Sequence, residues 1–240
     1  MLSLLLGALC QFASAARVRV DVWGDPAHTP VILIHGSPGG RATWKQVLPK
    51  LSNYYVLVPD RPGYGGSSPG KAETSLAAQS TRIWEALRTH LDGRPAIVVG
   101  YSYGGAVALR MVADQPGDVA GLVLLAATVN PAYENLAWYY RPGRWPWLSW
   151  LLPRDYVVSA TESAALPAEL RLLDWNSYEL PVRIVQGKAD EVVDPRSGAW
   201  ALARLVRSTD AQLEMVPGLK HDLPEKRPTL VEQAVRSLLD

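Results

Sequence analysis

A chain of 240 residues, 48% of them hydrophobic, is long enough for one α/β domain with a sizeable buried core. Its net charge of +1 gives no electrostatic case for nucleic acid, and no basic cluster stands out. The single cysteine, Cys10, excludes an intrachain disulfide and a cysteine-based zinc site.

Leu2 to Leu9 is an apolar run followed by Ala13-Ser14-Ala15, an A-x-A pattern, so residues 1–15 read as a short signal peptide cleaved near Ala15. No Lys or Arg precedes the run, and it is shorter than the roughly 20 apolar residues of a membrane span. The competing reading is an uncleaved apolar anchor that associates with a membrane surface. Either places the protein outside the cell or in its envelope, whereas an ordinary N-terminal segment would leave it cytoplasmic. The domain itself is expected over residues 16–240.

Val18, Val20 and Val22 alternate with Arg17, Arg19 and Asp21, a period of two that predicts a strand with one buried face. Val31-Ile32-Leu33-Ile34 is unbroken and apolar, as suits a parallel strand covered on both faces. It runs into His35-Gly36-Ser37-Pro38-Gly39-Gly40. A helix is expected from about Thr43 to Leu51 and a strand from Tyr55 to Val58. The loop Asp60-Arg61-Pro62-Gly63-Tyr64-Gly65-Gly66-Ser67 follows, then a helix from Thr74 to Leu91. Strands alternating with helices imply βαβ units and a parallel sheet.

Ala96 to Val99 reads as a buried strand, and Ala106 to Val112 as an apolar helix. Between them Gly100-Tyr101-Ser102-Tyr103-Gly104 matches G-x-S-x-G. That strand–turn–helix setting is what a nucleophile elbow requires: Ser102 on a sharp turn, with glycines where strand and helix pass closely.

An HG-x-P loop, a D-x-P-G-x-G-x-S loop and a G-x-S-x-G elbow, in this order, resemble the α/β-hydrolase superfamily from about Val18 onward. The resemblance implies a mostly parallel sheet flanked by helices, with a small cap inserted at about 128–180. There the periodicity degrades and Pro131, Pro142, Pro146, Pro153 and Pro167 interrupt it. After a strand at Val182 to Gln186, Gly187-Lys188-Ala189-Asp190 is similar to the family's G-x-x-D loop, which makes Asp190 the leading triad acid. Asp194 competes, but its place before Pro195 and a helix at Arg196 to Arg207 also suits an N-cap. Ala211 to Val216 is the last strand, and His221 lies on the loop after it, where the family carries its histidine. The order Ser102, Asp190, His221 is the one this fold uses.

These residues imply acyl transfer through a serine nucleophile, with His221 as base and Asp190 orienting it. The oxyanion hole is expected from the backbone N–H of Tyr103 and of Ser37, since Pro38 has no N–H to give. Trp138, Trp145, Trp147 and Trp150 are expected to form a substrate-binding wall for an apolar acyl group. Alternatives for them are packing of the cap on the main domain and contact with a membrane interface. No metal constellation or phosphate-binding loop accompanies the elbow, so no metal and no cofactor are expected. The function implied is hydrolysis of a small-molecule carboxylic ester. The loop His35–Gly40 also looks like the HGGPGG loop of proline iminopeptidases, though Tyr103 stands where those carry tryptophan, so an amide substrate is the alternative. A carbon–carbon bond hydrolase comes next. An inactive binding protein of the same fold is opposed by the presence of all three triad residues.

Overall fold

The computed structural model describes residues 17–68, 70–133 and 138–239, with Trp138 and Tyr139 in backbone only. The candidate signal or anchor segment 1–15 lies outside the described residues. Seven strands form one sheet: β1 (Val20–Trp23), β2 (Pro30–Ile34), β3 (Tyr55–Pro59), β4 (Ala96–Tyr101), β5 (Val119–Leu125), β6 (Val182–Gly187) and β7 (Ala211–Val216). Their spatial order is β1-β3-β2-β4-β5-β6-β7, with β1 antiparallel to β3 and every other pairing parallel.

The apolar run of β2 is buried on both faces because successive side chains point to opposite sides of a strand. Ile32 and Ile34 join one core cluster with Val98 of β4, while Val31 and Leu33 join the other with Ile97 and Val99. Among the helices on the first face are α1 (Leu76–Leu91) and α2 (Tyr103–Asp114). In α1 the buried residues Leu76, Ile83, Leu87 and Leu91 make a stripe at helical spacing. Each such side chain contributes about 2 kcal/mol of burial. The α1 N-terminus is closed twice over. Ser75 Oγ accepts the Ala78 N–H, and the Glu169 carboxylate accepts the Leu76 N–H at 2.8 Å.

Between β5 and β6 the chain leaves the sheet, forming a 3₁₀ segment (Trp138–Arg144), α3 (Pro146–Ser149) and α4 (Arg154–Leu170). After β6 come α5 (Arg196–Leu202), then, beyond β7, α6 (Leu223–Lys226) and α7 (Pro228–Arg236).

Several elements differ from expectation. The helix expected over Thr43 to Leu51 is two 3₁₀ turns, Arg41–Trp44 and Leu48–Leu51. Pro49 has no N–H for an α-helical bond, and the chain re-forms its turn around it. Trp44 and Leu51 are buried all the same. The inward valine face holds at Val18, just before β1, but not at Val22, near the exposed end of this edge strand. Pro167 does not end α4; it sits in the last turn, where its missing N–H costs one bond. The helix begun at Arg196 stops at Leu202, and residues to Ser208 close in turns.

Candidate active site

The strand order reverses between β2 and β4, the switch point where α/β sheets open a crevice at the carboxyl ends of their strands. The His35–Gly36–Ser37 loop leaves β2 there, and Ser102 follows β4. Gly104 is what lets them approach: a Cβ on it would lie 2.2 Å from the Ile34 carbonyl oxygen. On the strand side, a Cβ on Gly100 would lie 2.5 Å from the Gly104 carbonyl oxygen. Both positions therefore exclude any larger residue.

Ser102 itself has φ 54° and ψ −125°, a region that costs a non-glycine residue about 1–3 kcal/mol. Its surroundings over-determine it. The Ser102 N–H donates to Leu125 O at 3.0 Å, and its carbonyl accepts from Gly105 at 2.9 Å and Thr128 at 3.1 Å. The turn thus holds the hydroxyl above the sheet, beside the His221 ring.

His221 Nε2 lies 3.0 Å from Ser102 Oγ, and its Nδ1 lies 2.9 Å from Asp190 Oδ2. With Nδ1–H donating to the carboxylate, Nε2 presents its lone pair to the serine hydroxyl. The Tyr101 hydroxyl donates to the His221 carbonyl at 2.8 Å, and the two rings sit 5.2 Å apart. The imidazole is therefore held from its backbone, its face and its far nitrogen.

Asp190 Oδ1 accepts the N–H groups of Val192 and Val193, each at 2.9 Å, and Oδ2 also accepts from the Gln186 amide. Burial acts to raise its pKa, but the hydrogen bond and charge of His221 and the two N–H donors outweigh it, leaving the pKa lowered. A carboxyl whose pKa is lower folded than unfolded stabilises the protein above its unfolded value near 4, and that contribution is lost as pH falls through the folded value. Asp190→Asn is accordingly expected to flatten the loss of stability on acidification, read as urea midpoints from pH 6 downward. An unchanged acid dependence would contradict this. The competing carboxylate, Asp194, faces away. It accepts the Arg196 N–H at 2.9 Å and pairs with the Arg196 guanidinium at the start of α5.

The two oxyanion candidates flank Ser102. Tyr103 is the first residue of α2, where helical N–H groups have no partner within the helix. Ser37 follows Gly36, on which a Cβ would lie 2.9 Å from Ser102 Cβ.

Beneath them lies a buried polar network that joins the His35–Ser37 loop and the Arg61–Tyr64 loop to Gln79 and Glu162. Arg61 is fully buried and uses all five guanidinium N–H donors. Nε donates to His35 O at 2.9 Å and Nη2 to Gly36 O at 3.0 Å; Gln79 takes one Nη1 donor at 2.9 Å. The Glu162 carboxylate takes the remaining two, at 2.8 and 3.2 Å. Arg61 also stacks between the Tyr64 and Tyr103 rings, at 4.7 and 4.5 Å. Burial opposes its charge, yet Glu162 holds its pKa raised. Glu162 comes from α4 and further accepts the hydroxyls of Tyr64 at 2.7 Å and Ser37 at 2.8 Å. His35 belongs to this scaffold and not to the reacting atoms. Its Nδ1 donates to Gly36 O, its Nε2 accepts the Arg61 N–H, and burial with the Arg61 charge depresses its pKa.

The sequence profile of the alpha/beta hydrolase fold matches residues 29–156, just over half the chain, including the HG loop and the elbow. The chain belongs to this family. A 113-residue stretch is 39% identical to the magnesium-chelatase 30 kDa subunit of Rhodobacter capsulatus, covering 43% of this chain and 39% of that one. Over 103 residues it is 35% identical to Lipase 1 of Psychrobacter immobilis, covering 42% and 32%. The chain thus spans less than half the length of these curated relatives. Among solved structures, a thermophilic esterase from Thermogutta terrifontis superposes with a TM-score of 0.72 at 22% identity, over 93% of both chains. In this chain α4, between β5 and β6, reaches the Ser37 loop through Ser159 and Glu162, both of which accept from the Ser37 hydroxyl.

Of the four tryptophans expected to form a substrate wall, Trp145, Trp147 and Trp150 have described side chains. The Trp138 side chain lies outside the described residues. Trp147 and Trp150 have most of their surface in solvent, and Trp145 stacks on Trp147 at 5.6 Å and not on site residues. Pro142, Pro146 and Pro153 break this segment into short turns. Among the described residues no group of His, Cys, Asp and Glu side chains could hold a metal ion.

Proposed function

We propose that this α/β hydrolase cleaves carboxylic esters through an acyl-enzyme on Ser102. The observation that carries the reading is the hydrogen-bonded line from Ser102 Oγ through His221 to Asp190. A serine hydroxyl is a weak nucleophile and needs a base in contact. As Oγ attacks the ester carbonyl, its proton passes to Nε2 and Asp190 stabilises the imidazolium. The tetrahedral oxyanion is received by the N–H groups of Ser37 and Tyr103, each worth ~3 kcal/mol in the transition state. The α2 N-terminus adds its positive end to the same spot. Collapse expels the alcohol with the proton from Nε2, and water, deprotonated by the same nitrogen, then releases the acid.

Esters are favoured over aminoacyl amides by the state of Glu162. Recognition of a protonated α-amine calls for a free carboxylate, and this cap carboxylate is already engaged by Arg61, Gln79, Tyr64 and Ser37. The named activities of the relatives differ, so they support ester hydrolysis through Lipase 1 without selecting an acyl group. With Trp147 and Trp150 turned to solvent, no preference for an apolar acyl chain is proposed from them. A panel of p-nitrophenyl esters against aminoacyl arylamides tests the reading, together with a fluorophosphonate probe for activated serine. Ester turnover and labelling of Ser102 are expected; faster arylamide cleavage, or no labelling of folded protein, would overturn it.

A further inference from the structure

Exposed large apolar side chains concentrate in one short stretch of the cap. Trp145, Trp147, Trp150 and Leu151 are 47, 69, 76 and 61% exposed. They form one patch. Trp145 and Trp147 stack with an interplanar angle of 13°, the Trp150 indole N–H donates to Trp147 O at 3.0 Å, and Leu151 N–H donates to Leu148 O. Such a patch exposes several hundred Å² of apolar surface, the range (~300–600 Å²) in which a contact site on a monomer is expected.

Its charge setting is equally marked. From Asn135 to Arg154 the chain carries Arg141, Arg144 and Arg154 and no acidic residue. Arg154 pairs with Asp155, but Arg141 and Arg144 are exposed and have no ion-pair or hydrogen-bond partner among the described residues. Tryptophans flanked by unpaired arginines match one environment closely: the boundary layer of a bilayer bearing anionic headgroups. Indole rings settle at the level of the headgroups, and each arginine near the surface is drawn by the negative potential.

We propose that this tryptophan–arginine patch docks the protein on an anionic lipid surface. A second copy of the chain fits less well. A two-fold contact would press the patch against itself and bring two acid-free, arginine-bearing segments together. The patch leads directly into α4, the helix that carries Ser159 and Glu162 to the Ser37 loop, so docking would bring the crevice near the lipid surface. The inference stands on exposure and charge and does not depend on the reaction assigned to Ser102. Among the described residues no helix is long and apolar enough to cross a membrane.

The test is co-sedimentation of the full chain with vesicles of phosphatidylcholine containing about 30 mol% phosphatidylglycerol, against vesicles of phosphatidylcholine alone. Binding to the anionic vesicles is expected, and the double substitution Trp147→Ala/Trp150→Ala should weaken it about tenfold. Arg141→Gln/Arg144→Gln should remove the preference for anionic over neutral vesicles. All four positions are exposed, and unchanged circular dichroism and melting temperature verify folding of each variant. Absence of wild-type binding would overturn the proposal. So would binding equally strong in the tryptophan variant, which would assign it to the apolar run 2–9. A dimer in sedimentation velocity that the tryptophan variant dissolves, with no vesicle binding, would assign the patch to a second copy.

Discussion

Ser102→Ala is expected to lower ester turnover by at least about a thousandfold, leaving only what the oxyanion donors and substrate binding supply without a nucleophile. The same position makes an opposite claim about stability. Ser102 holds φ 54° and ψ −125°, a conformation that any Cβ-bearing residue adopts at a cost. Alanine keeps the Cβ, so the denaturant midpoint of Ser102→Ala should stay near that of the wild type. Glycine removes it, and Ser102→Gly should be as inactive but more stable by about 1 kcal/mol, relief of strain being offset in part by the freedom glycine gains unfolded. Strain is retained here because the hydrogen bonds to Leu125, Gly105 and Thr128 fix the turn and so hold the hydroxyl 3.0 Å from His221 Nε2. Substantial turnover in Ser102→Ala would remove Ser102 from the mechanism. A glycine variant less stable than the alanine variant would show that the turn is not strained.

The residues meeting at the crevice were readable because each stands in a short motif tied to a strand end. His35-Gly36-Ser37 follows an unbroken apolar run, and Gly100 to Gly104 bridges an apolar strand and an apolar helix. Asp190 and His221 each follow a strand by a few residues. Topology converts those strand ends into neighbours, so local reading sufficed. Arg61 and Glu162 are 101 residues apart and have no such rule to bring them together. Their signal was present in a weaker form. Arg61 is the only basic residue in a Gly-rich loop that the fold buries, and Glu162 is the only charge between Val157 and Ala168, a stretch otherwise built from small, apolar and hydroxyl side chains. A lone charge on such a face calls for a partner. The direction of the tryptophans is not legible for a different reason. Composition locates apolar surface in the chain but carries no direction, and with three prolines nearby no periodicity indicated which way Trp147 and Trp150 point. The 3₁₀ turns around Trp44 and Leu51 are not legible because inward spacing is nearly the same in a short 3₁₀ segment as in an α-helix.

The Arg61–Glu162 pair is where the largest loss of stability is expected. Both side chains are fully buried, so Glu162→Ala would strand a guanidinium that cannot be deprotonated. Breaking such a pair from one side costs about 3–5 kcal/mol, a large share of the 5–15 kcal/mol that holds a domain together. Removing both partners is a different experiment. Arg61→Met/Glu162→Leu replaces the ions with apolar groups of similar size and should recover most of the stability lost in Glu162→Ala. It should not recover turnover. Arg61 holds the carbonyls of His35 and Gly36, the two residues before the proposed Ser37 donor, and Glu162 holds the Ser37 hydroxyl itself. Without them the Ser37 N–H loses its aim at the oxyanion, an interaction made in the transition state and not in the bound ester. The double variant should therefore show a reduced kcat with KM little changed, by up to about a hundredfold for one oxyanion donor. A merely structural pair would give the reverse: restored stability and restored kcat together. If Glu162→Ala loses less than about 1 kcal/mol, solvent reaches the stranded Arg61 and the site is wetter than its burial implies. If instead the double variant is stable and fully active, the network clamps the cap to the sheet and has no part in setting the oxyanion loop.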